Sequence, residues 1–279
     1  MRQCFIVVDP LTLVLYKSPV SKHEGGNEKT NYIIPTTYPL LFTTIRPILT
    51  TFTMRFQMIP LLAVASCATA SPIEHEPRAA GCSSYTIINT RGTGEVQGAS
   101  SGFRTMNSRI TSQVSGGKIY NTVYPADFSQ NSASGTRDIV RKVNSVLSSN
   151  PNECFILEGY SQGAAATVNA MSQLTGSAKD AVKGVFLIGN PLHKRGLECN
   201  VDNKGGDTTK NVSGISAFGG GGIPQDWVSK TLDVCIYGDG VCDTTHGSGI
   251  NGPHLQYPRD SSTQNLGTEY VVKQLTGSS

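Results

Sequence analysis

The sequence predicts an α/β fold: a single-domain three-layer α/β/α sandwich with a five-stranded parallel sheet. Between residues 84 and 275, β-rich runs alternate with amphipathic or Ala-rich segments. That repeat sets parallel strands side by side with helices on both faces. Of 279 residues 15% are charged and 38% apolar, with 30 Gly and 14 Pro, a globular composition rather than a disordered or collagen-like one. Once the N-terminal segments described below are set aside, about 200 residues remain, the size of one such domain.

Ser84 to Asn89 is a β-branched run that ends in the Gly-rich turn Arg91-Gly92-Thr93-Gly94, a strand followed by a loop. Phe103, Met106, Ile110 and Val114 recur at helical spacing, so Phe103 to Val114 is the first helix. Lys118 to Tyr124 is a second strand, stopped by Pro125. Ser134 to Ser148 puts Ile139, Val143, Val146 and Leu147 on one face and Arg137, Arg141 and Lys142 elsewhere, an amphipathic helix. Phe155 to Leu157 is the third strand, followed by an Ala-rich helix from Gln162 to Leu174. Val182 to Ile188 and Leu232 to Tyr237 complete the strands, and Leu266 to Leu275 is the closing helix.

Met54-Arg55, the apolar run Met58 to Ala65 and the small residues Ala68-Thr69-Ala70 have the basic start, short apolar stretch and cleavage site of a secretory signal, predicted over 54–70. The alternative, a membrane span over Phe56 to Ile73, is interrupted by Gln57 and Pro60, whereas a spanning helix wants ~20 predominantly apolar residues. Residues 1–53 stand upstream, where a signal peptide is not normally found. The expectation is a misassigned upstream start, with translation from Met54 or Met58; a disordered extension is the alternative. Residues 71–81 lack apolar periodicity and read as a pro-segment or linker, leaving 82–279 as the folded domain.

From position 80 onward 16 basic and 15 acidic residues nearly cancel, and without a basic stripe the domain is not expected to bind nucleic acid. Secretion makes the cysteines candidates for disulfides. Cys235 and Cys242 flank a short Gly-containing turn and are the first pair. Cys82, Cys154 and Cys199 allow one more; Cys82 with Cys154 is preferred because both precede strands placed side by side, although spacing alone leaves the pairing open. Asn211-Val212-Ser213 is a glycosylation sequon. No His/Cys cluster has metal-ligand spacing, and Gly219 to Gly222 lacks the Lys-Ser/Thr tail of a phosphate loop. Neither metal nor cofactor is expected.

Working residues in parallel α/β sheets collect at the carboxyl ends of strands. Gly159-Tyr160-Ser161-Gln162-Gly163 fits the nucleophile elbow G-x-S-x-G, where glycines permit a tight strand-to-helix turn that presents the serine. The pattern alone is weak: chance supplies about 0.3 matches in a chain of this composition, and a second match surrounds Ser100. Only Ser161 has a strand before it and a helix after it, so Ser100 is a loop serine. The Gln162 backbone N–H, opening that helix, is expected to form one arm of an oxyanion hole. A serine needs a base oriented by a carboxylate, in the chain order Ser, acid, His. Asp239 lies just past the last strand inside the Cys235–Cys242 turn, while Asp233 reads as a solvated strand-start residue. His254 is favoured over His246 as the base, with both left open by spacing.

With these motifs in order, residues 82 to 277 resemble the fungal cutinase family: Gly159-Tyr-Ser-Gln-Gly163, the Arg91-Gly92-Thr93 turn, and Cys235-x3-Asp239-x2-Cys242 followed by His254-Leu255. The resemblance implies a cutinase-like α/β hydrolase without a lid, with Ser161, Asp239 and His254 as nucleophile, acid and base, and Thr93 as the second oxyanion donor. Ile250 and Leu255 flank the base and are expected to line an acyl pocket; core packing is the alternative for Leu255. The segment Pro191 to Lys230 looks longer than the compact family core needs, and Cys154 sits inside the strand start.

The implied protein is a secreted, monomeric serine esterase acting on cutin-type polyester or other acyl esters, with no integral span in its mature form. An acetylxylan esterase is the alternative within the class, and a non-catalytic secreted binding module the alternative outside it.

Overall fold

The structure, a computed structural model, describes residues 81–219 and 221–277, together with the backbone of residues 5–9 and 12–15. The signal peptide expected at 54–70 and the linker up to residue 80 lie outside the described residues. In the N-terminal unit, β1 (Phe5–Asp9) and β2 (Thr12–Leu15) form an antiparallel pair.

The second unit is built on a six-stranded, wholly parallel sheet. Its strands are β3 (Tyr85–Thr90), β4 (Gly117–Asn121), β5 (Cys154–Tyr160), β6 (Val182–Ile188), β7 (Asn200–Val201) and β8 (Thr231–Val234), in the order β4-β3-β5-β6-β8-β7. Helices α1 (Arg104–Gln113) and α5 (Ser261–Thr276) pack together, as do α2 (Ala133–Ser149) and α3 (Gln162–Met171); a short α4 (Gly176–Ala181) precedes β6. Strand side chains alternate between the two faces. Ile88, Phe155, Leu157, Val185 and Leu187 join the core under α2 and α3. Ile87, Ile156, Phe186 and Ile188 join the core under α1 and α5, with Met106, Ile110, Val271 and Leu275. No helix among the described residues is long and apolar enough to cross a membrane.

The predicted three layers are present, with four corrections. The sheet has six strands rather than five, because Asn200 and Val201 pair with Asp233 and Val234; two residues carry no readable periodicity. β4 ends at Asn121 instead of Tyr124, because the Arg91 guanidinium takes up the carbonyls of Thr122, Tyr124 and Pro125. Asp233 is wholly buried rather than solvated. With β7 beyond it, β8 is not an edge strand, and the Asp233 carboxylate is occupied by His193 Nδ1 (2.9 Å) and Asn190 Nδ2 (3.0 Å). α5 also starts five residues earlier than predicted, where the Asp260 carboxylate accepts the Thr263 N–H as N-cap.

His193 is buried, and its Nε2 lies 3.1 Å from the Thr209 carbonyl. Both ring nitrogens thus face acceptors, which favours the imidazolium. Burial opposes the charge, but Asp233, the Thr209 carbonyl and Asp243 outweigh it and raise the His193 pKa. The pair pins the start of the long 191–230 segment to the sheet. The cysteines form Cys82–Cys154 and Cys235–Cys242, with Cys199 a buried free thiol.

Two outcomes are expected. The Cys82–Cys154 bridge closes 72 residues, so replacing both by Ala should lower stability by about 4 kcal/mol in the chain-entropy account, read by urea unfolding. A raised histidine pKa contributes stability that is complete below the unfolded value of about 6.5 and is lost as pH rises through the folded value. Stability should therefore fall as pH rises past about 6.5 in the wild type, and less so in His193→Gln.

Candidate active site

β5 delivers its last residue, Tyr160, directly to Ser161, and α3 begins at Gln162. To make that turn Ser161 adopts φ 55° and ψ −119°, a conformation disfavoured for residues with a Cβ and sustained only by its surroundings. The two glycines of the motif explain how. A Cβ on Gly159 would lie 2.6 Å from the Ala164 Cα, and one on Gly163 would lie 2.5 Å from the Arg91 carbonyl oxygen and closer still to that of Thr90. Any side chain there would push α3 off the sheet. The Ser161 N–H donates to the Ile188 carbonyl at 3.0 Å, which ties the turn to β6.

The Ser161 Oγ is 3.0 Å from His254 Nε2, and His254 Nδ1 is 2.9 Å from Asp239 Oδ1 and 3.0 Å from Oδ2. A carboxylate only accepts, so Nδ1 carries the proton and the Nε2 lone pair faces the serine hydroxyl. All three side chains are buried.

Asp239 is fixed from several directions. Its Oδ1 accepts the Val241 N–H at 2.9 Å and its Oδ2 the Tyr257 hydroxyl at 2.6 Å, inside the turn closed by Cys235–Cys242. Tyr257 is wholly buried, and burial together with the adjacent Asp239 charge raises its pKa well above the ordinary value. It therefore stays a donor. The Tyr160 hydroxyl donates to the His254 carbonyl at 2.7 Å. Gly189, at φ 58°, leaves room for the ring: a Cβ there would lie 2.7 Å from His254 Cε1. The motifs reveal none of Tyr160, Tyr257 or Gly189 as a support, since each acts through a partner far away in sequence.

The other expected residues fall as follows. His246, the rival base, is not on Ser161; its Nε2 meets the Tyr237 hydroxyl at 2.6 Å, and its Nδ1 is 3.3 Å from Asp243. Ser100 caps the 3-10 turn Ser101–Phe103, accepting the Gly102 N–H. Gln162 is the first residue of α3, whose leading N–H groups have no intrahelical acceptor; its side chain donates to the Asp127 carbonyl at 3.2 Å. Thr93 shares a hydrogen bond with the Gln130 side chain, and the adjacent Gly94 N–H donates to Ala126 at 2.7 Å. The 126–130 loop thus touches both the Thr93 turn and Gln162. Ile250 is 52% and Leu255 60% exposed, so Leu255 is not core. Asn211 is exposed. The grouping of Cys235, Asp239 and Cys242 has its two sulfurs bonded to each other and is no ready metal site.

The chain as a whole is similar to known proteins. The cutinase family profile matches residues 81–275. A cutinase of Monilinia fructicola is 30% identical over 229 residues, 80% of this chain and 97% of its own length. A solved structure of a cutinase-like protein from Cryptococcus sp. is 64% identical and superposes with a TM-score of 0.69 over 72% of this chain and 100% of its own. The catalytic core domain of acetyl xylan esterase from Trichoderma reesei, 24% identical with a TM-score of 0.57 over 70% of this chain and 100% of its own, shares the fold. With one profile spanning the whole sheet and a 30% identical relative matched along nearly its full length, the chain belongs to the cutinase family of carboxylic ester hydrolases.

Proposed function

We propose that the protein is a secreted serine esterase that cleaves cutin-type polyester through an acyl-enzyme on Ser161. The observation that carries this reading is the unbroken chain from Asp239 through His254 to the Ser161 hydroxyl. His254 takes the serine proton as Oγ attacks the ester carbonyl, then gives it to the departing alcohol. Asp239 holds the ring in the productive tautomer and stabilises the imidazolium. Water, deprotonated by the same His254, releases the acid. The Gln162 N–H and Thr93 are the donors proposed for the oxyanion.

Ile250 and Leu255, which flank the base in sequence and are exposed, support an apolar acyl chain over a bare acetyl group. The signal-like run at 54–70 and two disulfides support export, with 71–81 as a pro-segment or linker and 82–279 as the working domain, acting as a monomer.

The first test is hydrolysis of p-nitrophenyl esters from acetate to palmitate by protein beginning at Met54. Turnover should peak at butyrate-like chains and fall by at least ~10³-fold in Ser161→Ala. Activity confined to acetate would turn the reading to an acetylxylan esterase; turnover indifferent to Ser161 would leave a binding module. Asp239→Asn should keep the fold, by circular dichroism, while lowering kcat on the order of 10⁴-fold, because the imidazole loses its enforced tautomer.

A further inference from the structure

The turn that bears Thr93 is held by one carboxylate that the triad does not use. Glu95 Oε2 accepts the Gly92 N–H at 2.6 Å and the Ser100 hydroxyl at 2.8 Å. Its Oε1 accepts both the Ser101 N–H and the Ser101 hydroxyl at 2.7 Å. Four donors from the two ends of the 92–101 loop thus converge on a single side chain. The far end of the loop is anchored from beneath: the Ser100 N–H donates to Asn89 Oδ1 at 2.9 Å, and Asn89 Nδ2 donates to Glu158 at 2.9 Å. Glu158 stands on β5, three residues before Ser161. The near end rests on the same strand, since a Cβ on Gly92 would lie 3.1 Å from the Tyr160 ring. Glu95 therefore connects the turn carrying Thr93 to the strand that carries the serine.

We infer that Glu95 is a positioning residue for the oxyanion hole, fixing the height of the Thr93 turn above Ser161 through its bonds to Gly92 on one side and to Ser100 and Ser101 on the other. The inference rests on the esterase reading. A carboxylate accepts on both oxygens and donates from neither. In Glu95→Gln the amide NH2 replaces one oxygen. Serine hydroxyls can rotate to accept from it, but the backbone N–H of Gly92 or Ser101 cannot, and one of them is left facing a donor. A displaced donor removes stabilisation that exists only in the transition state, so kcat falls while substrate binding is kept.

The test is steady-state kinetics on p-nitrophenyl butyrate, with functional sites counted by a phosphonate burst so that kcat refers to competent enzyme alone. Glu95→Gln should lower kcat ~10- to 100-fold with KM within about threefold. Glu95→Asp, which keeps the charge but draws the oxygens back by one methylene, should fall between the two. Thr93→Ala, which deletes the hydroxyl and keeps the N–H, should lower kcat in the wild type and lower it much less in Glu95→Gln, because both changes disturb the same arm of the oxyanion hole. If Glu95→Gln does not fold, Glu95→Asp with and without Thr93→Ala carries the comparison. Wild-type kcat in the Glu95 variants, or losses that multiply independently with Thr93→Ala, would overturn the inference. A wild-type protein that neither turns over esters nor gives a phosphonate burst would remove the esterase reading itself.

Discussion

The left-handed backbone of Ser161 is the constraint around which the rest of the domain is arranged. At φ 55° the chain leaves β5 and enters α3 without an intervening loop, so the hydroxyl stands at the carboxyl edge of the sheet and the first amides of α3 lie beside it. Such a conformation costs on the order of 1–3 kcal/mol and survives only where the packing over-determines it. Here Gly159 lets α3 approach β5, Gly163 lets it approach β3, and the Ser161 N–H is satisfied by β6. The buried cores on both faces of the sheet hold this strained turn in place.

Around that fixed point the remaining groups are brought in by loops, and each loop is pinned by something stiffer than itself. Asp239 sits in a turn closed by a disulfide and topped by Tyr257. His254 arrives on a short 3-10 turn whose carbonyl is held by Tyr160, the residue before the nucleophile. The two tyrosines connect Asp239 and His254 to the strand that sets Ser161, so the three side chains share one frame. The His193–Asp233 pair has a different task. It fastens the long segment after β6 next to the triad without touching it, and the two His–Asp pairs differ in what their second ring nitrogen meets: a carbonyl for His193, the serine hydroxyl for His254. Only the latter nitrogen is free to accept a proton.

What could be read from the sequence follows from how local each signal is. The elbow was legible because strand, glycines, serine and helix lie within a few residues of one another. The same holds for the Cys235–Cys242 turn with its aspartate. The choice between His254 and His246 was not local, and spacing left it open; the structure separates them by what each ring nitrogen faces. The sixth strand and the burial of Asp233 were missed together and for one reason. Asn200-Val201 is too short to show a period, and without it β8 looks like an edge whose acid faces water. Once β7 covers that flank and His193 arrives from 40 residues upstream, the carboxylate is enclosed. Tyr160 and Tyr257 leave no signal in the sequence because each makes its decisive bond to a group whose nearness only the folded chain creates.

The measurement that bears most directly on the whole account is a crystal structure of the protein after reaction with a p-nitrophenyl phosphonate. The expected result is a phosphorus bonded to Ser161 Oγ, with the phosphoryl oxygen about 3 Å from the Gln162 N–H and from Thr93 and the Glu95 clasp intact. Phosphorus on any other residue, or a phosphoryl oxygen turned to solvent away from both donors, would contradict it.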